Sequence, residues 1–389
     1  MSDNCKVKDI KAFGLEVPIT NLNTPPESLP YYQELKKVVF SSYKSVIVKV
    51  ESEDGIIGLG ECMTRIAPAA VVEIINEVMK PIAIGKDPLD HELIWEEIYG
   101  VMRQRGHSKG FYIEALSGLD IALWDLTGKL LHQPVWRLLG GKFHEKLECY
   151  ASSIRFKKPE DIVTEVQKVI NDGFGKVKLK IGRGVDEDIA AVRAVKDNFG
   201  DSVKIMVDAN SGYNVNTALQ IGKKLEKYDV IWFEEPLPPD NLPGYSQLAK
   251  ALDVPIAAGE SEFTRYGFRD LIENGGVRVI QPNVGRAGGF TELKKILAIS
   301  SAHGIPYAPH TGSSSAVTMA AEMQLAASSP DFMIYEYMKN AWSHEQPNPL
   351  NNELLNEKIL PPVNGYLTVR DTDGIGVSLN EEVVRRYLI

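Results

Sequence analysis

Cysteine is scarce: Cys5, Cys62 and Cys149 are the only three, and no two share a CxxC spacing. So odd and sparse a set argues against a disulfide framework and fits a reducing compartment. Positive charge is not in excess either, since 43 Lys and Arg stand against 52 Asp and Glu, a formal net charge of −9. Nucleic-acid binders need a basic face, so that class of partner is set aside. A small anionic substrate is not, because local lysines and a metal ion dominate the field inside a site. No apolar run approaches the roughly 18 residues needed to cross a bilayer. The opening MSDNCKVKDI lacks the apolar stretch of a secretory leader. The expectation is a cytoplasmic soluble protein with no membrane contact. A GxGxxG fingerprint after a first strand is also missing, which weakens a nucleotide-binding reading.

What is present is a chain of 389 residues, too long for one ordinary core. With 44% hydrophobic and 24% charged residues it has the composition of a soluble globular protein. Its first part reads as strands followed by helices. Residues from Lys37 to Ser52 are rich in β-branched types, and the turn Glu53-Asp54-Gly55 leads into IIGLGE, a hairpin signal. Helical spacing follows from Pro68 to Met79, with proline at the first helical position, and again from Ile113 to Leu131.

From about Leu147 the texture changes. Eight short apolar runs alternate with amphipathic stretches: LECYASS, VKLKIG, VKIMVDAN, VIWFEEP, PIAAGES, VRVIQPN, IPYAPHT and MIYEYM. Their starts recur every 22 to 30 residues or so, close to the length of one βα unit in a (β/α) barrel. A doubly wound open sheet is the alternative, and eight even units favour closure. After about Asn348 the rhythm stops and the tail becomes turn-rich and strand-like. The expected division is an α+β capping domain over 1–135, a TIM-type (β/α) barrel over 136–348, and a segment over 349–389 that returns to the capping domain.

The runs end in chemistry. In a (β/α) barrel the C-terminal strand ends form one face, so residues distant in sequence converge there. Asp208, Glu234 and Glu260 close three successive runs. Three crowded carboxylates repel one another, and a hard divalent cation such as Mg²⁺ removes that conflict through all-oxygen ligation. Taken singly, each acid reads equally well as a loop residue or helix cap. Lys178 and Lys180 stand at i and i+2, hence on one side of a strand, with Val177, Leu179 and Ile181 on the helix-packed side. Two ammonium groups beside a cation lower each other's pKa, which makes a lysine a competent base near neutral pH. Against this stands an edge strand with solvated lysines. His310, in PYAPHTG, lies across the barrel mouth from the lysines, although a lone histidine is more often structural. His303, before a glycine, reads as a helix C-cap without chemistry. Glu336, inside the apolar run MIYEYM, is expected to have a raised pKa and to donate a hydrogen bond, or else to be a salt-bridged core acid.

The ordered set KLK, VDAN, FEEP, GES, QPN with GRAGG, PHTG and IYEY resembles the mandelate racemase subgroup of the enolase superfamily over nearly the whole chain. Enolase-superfamily sites with a Lys or His base and Mg²⁺ are a standing example of this chemistry. The resemblance implies that Asp208, Glu234 and Glu260 ligate Mg²⁺ and that Lys180 is the base. It implies that Lys178 and Glu336 contact the substrate carboxylate and that His310 is the opposing acid or base. Asn210 would lie near the substrate or metal. Specificity would come from the loops at Thr20–Tyr32 and after Glu61, with Arg155, Arg265 and Tyr266 as further candidates for sugar hydroxyls. The resemblance also implies a homo-oligomer.

One position departs from the family pattern. Asn283 stands where an Asp usually pairs with the histidine. An amide does not stabilise an imidazolium as a carboxylate does, so His310 is expected to have a lower pKa and to act as an acid or merely bind. The activity implied is dehydration of a sugar acid to a 2-keto-3-deoxy acid. Racemisation or lactone cycloisomerisation would use the same groups. A non-catalytic metal-binding barrel and a nicotinamide-dependent reductase are the rivals of other classes. The first is disfavoured by the cost of two interior lysines, and the second predicts no magnesium requirement.

Overall fold

The computed structural model describes residues 5–19, 41–154, 158–338 and 348–389. Near the N-terminus three antiparallel strands lie in chain order: β1 (Val7–Pro18), β2 (Ser42–Ser52) and β3 (Ile57–Cys62). Residues 37–40 of the expected β2 run lie outside the described residues. β2 is central and buried on both faces, with Val46, Val48 and Val50 facing one apolar cluster and Ile47 another. That suits its run of β-branched residues. Gly55, at φ 81°, makes the hairpin turn that Glu53-Asp54-Gly55 predicts.

Helix α1 (Pro68–Ile74) continues through a wider turn at Ile75–Met79. It is followed by α2 (His91–Arg103) and the long α3 (Phe111–Leu130). α3 lies so close to β3 that a Cβ at Gly60 would sit 2.0 Å from the Gly118 carbonyl oxygen. Only glycine permits that approach.

The barrel alternates strand and helix. Its elements are β4 (Lys146–Ile154), α4 (Pro159–Asn171), β5 (Lys176–Lys180), α5 (Val185–Phe199), β6 (Lys204–Asp208), α6 (Val215–Leu225) and β7 (Phe233–Glu234). They continue with α7 (Leu242–Ala251), β8 (Ile256–Ala258), α8 (Thr264–Asp270), β9 (Val279–Ile280), α9 (Gly289–Ala302), α10 (Ala316–Ser328) and β10 (Tyr335–Met338). Neighbouring strands pair in parallel from β4 to β9, and β10 pairs with β4. The seventh apolar run forms no extended strand. Tyr307 bridges it to Ile280 on one side and to Phe332 on the other, and this closes the ring.

Residues facing inward fill the ring. Tyr150, Met206, Trp232, Ala257, Val279, Ala308 and Ile334 form one buried cluster, the packed centre of a barrel and not a pore. Outward-facing Val177, Leu179 and Ile181 belong to the larger core shared with the helices. The tail touches both parts. β11 (Tyr366–Thr368) runs antiparallel to the start of β4, whereas Leu388, past α11 (Glu381–Tyr387), bridges to Leu15 of β1. No helix among the described residues is long and apolar enough to cross a membrane.

Candidate metal centre and active site

Strand register aims the acids. Lys180 pairs with Asp208 and Asp208 with Glu234, so these residues lie at one level of the wall. The chain then leaves each strand through a left-handed turn: Asn210 has φ 40°, Ser211 φ 63° and Glu235 φ 37°. Such conformations are costly outside glycine and persist where surroundings hold them. Here the Ser211 N–H donates to the Glu235 carbonyl at 2.7 Å and ties the two turns together.

Asp208, Glu234 and Glu260 bring carboxylate oxygens within 4.8 Å of one another, all buried. Glu234 is the most tightly held. It accepts from Lys178 Nζ at 2.7 Å, Trp232 Nε1 at 2.9 Å and Gln281 Nε2 at 2.7 Å. Asp208 accepts from the Asn210 N–H at 2.8 Å and from Lys180 Nζ. Lys180 also donates to Asn210 Oδ1 at 2.8 Å. Burial, reinforced by Asp208 and Glu336 against Lys178, pushes Glu234 up to about 8. Burial raises its neighbour Glu235 well above the carboxylate range, with Glu260, Asp208 and Glu234 adding to the effect. Three carboxyl groups crowded in one buried place, offering oxygen donors only, suit a hard divalent cation.

The lysines differ from each other. Lys178 is buried, donates to Glu234, stands 2.9 Å from Glu336 Oε1 and lies over the Tyr150 ring, 5.4 Å from its centroid. Burial opposes its charge, but Glu234 and Glu336 prevail and hold it well above the usual lysine value. The expectation that both lysines are depressed therefore fails for Lys178: its nearest groups are acids from other strands. Glu336 differs from expectation too. It accepts from Ser152 Oγ at 2.7 Å and from the N–H groups of Thr311 and Gly312 at 2.8 and 3.2 Å. Burial works against its charge, yet Lys178 and His310 hold it below the carboxylate range, so it is an acceptor and not a donor.

His310 places Nε2 3.5 Å from Glu260 Oε2. Burial lowers its pKa, against the pull of Glu260 and Glu336. Asn283 Oδ1 accepts from the Gly285 N–H at 2.9 Å, while its Nδ2 donates to the His310 carbonyl at 2.8 Å and to Ser314 at 3.0 Å. Backbone partners thus fix which end of the amide is nitrogen. That nitrogen also faces His310 Nδ1, at 3.5 Å. Both hydrogens of that nitrogen go to the two shorter contacts, so it offers Nδ1 no acceptor, whereas Nε2 faces the Glu260 carboxylate; this favours the tautomer with its proton on Nε2.

The remaining candidates disperse. Arg265 is tied to Glu292 at 2.7 Å and Glu96 at 2.8 Å, and it lies over the Trp95 and Tyr266 rings, so it joins the two layers at their edge. His303 is the C-cap of α9. Thr20–Tyr32 and Arg155 lie outside the described residues. Sequence reasoning missed Arg65, whose Nη2 reaches within 4.0 Å of Glu260 Oε1 from the loop after β3. It also missed Ser152 and Gln281 as anchors of the acids. Gln281 carries a signal in hindsight, an amide at a strand end facing inward.

Fold and site together describe a capped (β/α) barrel that gathers its chemistry at the C-terminal rim. Residues 161–383 match the enolase C-terminal domain-like family, and residues 26–140 match the mandelate racemase/muconate lactonizing enzyme N-terminal domain. The chain belongs to this family of the enolase superfamily. It is 33% identical to D-galactarolactone cycloisomerase of Agrobacterium fabrum over 94% of this chain and 95% of that protein. It is 30% identical to arabinonate dehydratase of Saccharolobus solfataricus over 98% of this chain and 99% of that one. The crystal structure of 3,6-anhydro-D-galactonate cycloisomerase from Zobellia galactanivorans superposes with a TM-score of 0.85, at 30% identity and 99% coverage of both chains.

Proposed function

We propose that the chain removes the proton next to the carboxylate of a sugar acid and expels the β-hydroxyl, giving a 2-keto-3-deoxy acid. The observation that carries this reading is the facing of two different proton carriers across one acid cluster. Lys180 stands at Asp208 on one side, and His310 stands at Glu260 on the other. Asp208, Glu234 and Glu260 would hold Mg²⁺, which when bound supplies positive charge to the substrate carboxylate as the proton leaves.

Lys180 Nζ takes the α-proton, and the C–H electrons pass into the carboxylate as an enediolate. Lys178, fixed between Glu234 and Glu336, keeps a permanent positive charge behind that carboxylate. The electrons return, the β C–O bond breaks, and His310, charged as the imidazolium when it acts beside Glu260, gives its Nε2 proton to the departing oxygen, which leaves as water while His310 is left as the neutral imidazole. The enol then becomes the ketone. The similarity to an arabinonate dehydratase over almost the whole chain favours elimination over racemisation. Asn210 would steady Lys180, and Asn283 would set the tautomer of His310.

The test is a panel of aldonic and aldaric acids with and without Mg²⁺, followed by 2-keto acid formation. The expected result is activity that needs Mg²⁺ and falls by about 10²–10⁴-fold or more in Lys180→Ala. Activity that is indifferent to Mg²⁺ and to Glu234→Gln sinks the reading. Cycloisomerisation is the second reading, favoured by the similarity to a galactarolactone cycloisomerase over almost the whole chain. It uses the same groups with a ring oxygen as leaving group. Product NMR on sugar lactones separates the two.

A further inference from the structure

Each oxygen of a carboxylate has lone-pair room for two partners. In Glu234 the two oxygens are loaded differently. Oε2 accepts from Trp232 Nε1 at 2.9 Å and from Gln281 Nε2 at 2.7 Å, so both of its places are taken. Oε1 accepts from Lys178 Nζ at 2.7 Å and, among the described residues, keeps its second place open. Oε1 also lies on the side of Asp208, because the same Lys178 Nζ stands 3.8 Å from Asp208 Oδ2.

The two donors on Oε2 are fixed from below. Trp232 is fully buried in the apolar centre of the barrel, and its ring meets the Tyr150 ring edge-on with centroids 5.4 Å apart. Gln281 is buried just past β9, and its backbone N–H donates to the Ala258 carbonyl at 3.0 Å. Gly259, at φ 143°, packs against that backbone: a Cβ there would come within 2.8 Å of the Gln281 nitrogen. Turning either donor away from Glu234 would leave a buried N–H without a partner, which is costly.

We propose that Gln281 and Trp232 are positioning residues of the metal centre: they leave Glu234 a single ligand oxygen, Oε1, and this one-oxygen attachment selects Mg²⁺ over Ca²⁺. The inference rests on the metal ligands proposed above and deepens that reading. Mg²⁺ demands a near-ideal octahedron, which the narrow bite of a two-oxygen carboxylate distorts, whereas Ca²⁺ accepts both oxygens of one carboxylate in a larger and looser shell.

The test is calorimetric titration of the full chain, stripped of metal with EDTA and dialysed, with Mg²⁺ and separately with Ca²⁺. Gln281→Met removes one donor at similar volume, and Trp232→Phe removes the other while keeping a ring against Tyr150. Each variant is expected to lose about 10- to 100-fold in Mg²⁺ affinity and less in Ca²⁺ affinity, so that the ratio of the two falls by about tenfold or more. A merely structural role would lower both affinities alike. A ratio that is unchanged or raised in a folded variant overturns the assignment of that residue, and a parent protein that prefers Ca²⁺ overturns the proposal as a whole. A parent that binds neither ion overturns the metal reading itself, and the proposal with it. Circular dichroism checks folding, and Gln281→Leu replaces the Met variant if that one does not fold.

Discussion

Replacing Asn283 by Asp puts the usual residue of the family back beside His310, and the structure gives reasons to expect trouble. The amide nitrogen of Asn283 donates to the His310 carbonyl at 2.8 Å inside a buried site. A carboxylate oxygen in its place would meet another acceptor at hydrogen-bond distance. The Gly285 N–H would still be accepted, and the Ser314 hydroxyl could rotate to donate, so the net loss is one hydrogen bond and the repulsion that replaces it. That is worth about 1–3 kcal/mol of stability. Urea unfolding with linear extrapolation, in the presence of EDTA, measures it. The same change should move the proton of His310 from Nε2 to Nδ1, because a carboxylate accepts where the amide nitrogen offers no acceptor. With an anion behind it the imidazole becomes able to take a proton, and α-hydrogen exchange with heavy water should then scramble the α-centre. Nitrogen-15 shifts report the tautomer directly, and the chain has only seven histidines to sort. An Asn283→Asp protein as stable as the parent, or a parent with its proton on Nδ1, refutes the reasoning.

Two further outcomes concern stability. Glu61 faces four donors and no acceptor, so Glu61→Gln turns an N–H group toward at least one of them and should cost about 1–3 kcal/mol in urea unfolding, whereas an unchanged midpoint would mean that the two parts are held elsewhere. Burial pushes Glu322 up to about 8 from an ordinary 4.5, despite acceptance from the Val284 N–H at 2.9 Å. A raised folded-state pKa contributes stability that is full below about 4.5 and lost as pH rises through about 8. The parent should therefore weaken over that window more steeply than Glu322→Gln, and parallel stability–pH curves for the two proteins would show that Glu322 is not the group responsible.

Much of the scaffold was legible because periodicity is a local property. Seven of the eight apolar runs became paired strands, and the spacing of Lys178 and Lys180 put both on the inner face while Val177, Leu179 and Ile181 went outward. The seventh run has the same apolar texture as the others, yet it pairs only through Tyr307, since IPYAPHT carries two prolines that cannot donate to a ladder. Charge states were not legible. The sequence sets Lys178 beside Lys180, but the groups that decide its state are Glu234 and Glu336, 56 and 158 residues further on. The apolar run around Glu336 points to a raised pKa, whereas the Thr311 and Gly312 N–H groups that it accepts from arrive from a different strand end. Arg65 carried no motif at all: it matters only because β3 aims its loop across the barrel mouth.

That loop is held like a bridge between two piers. Glu61 and the Met63–Gly285 bond fix one end, and Pro68, buried at the start of α1, fixes the other. Thr64 to Ala67 span the gap. Over evolutionary time such a span can change its vocabulary of substrates one residue at a time, while the proton-moving residues on the opposite wall stay as they are.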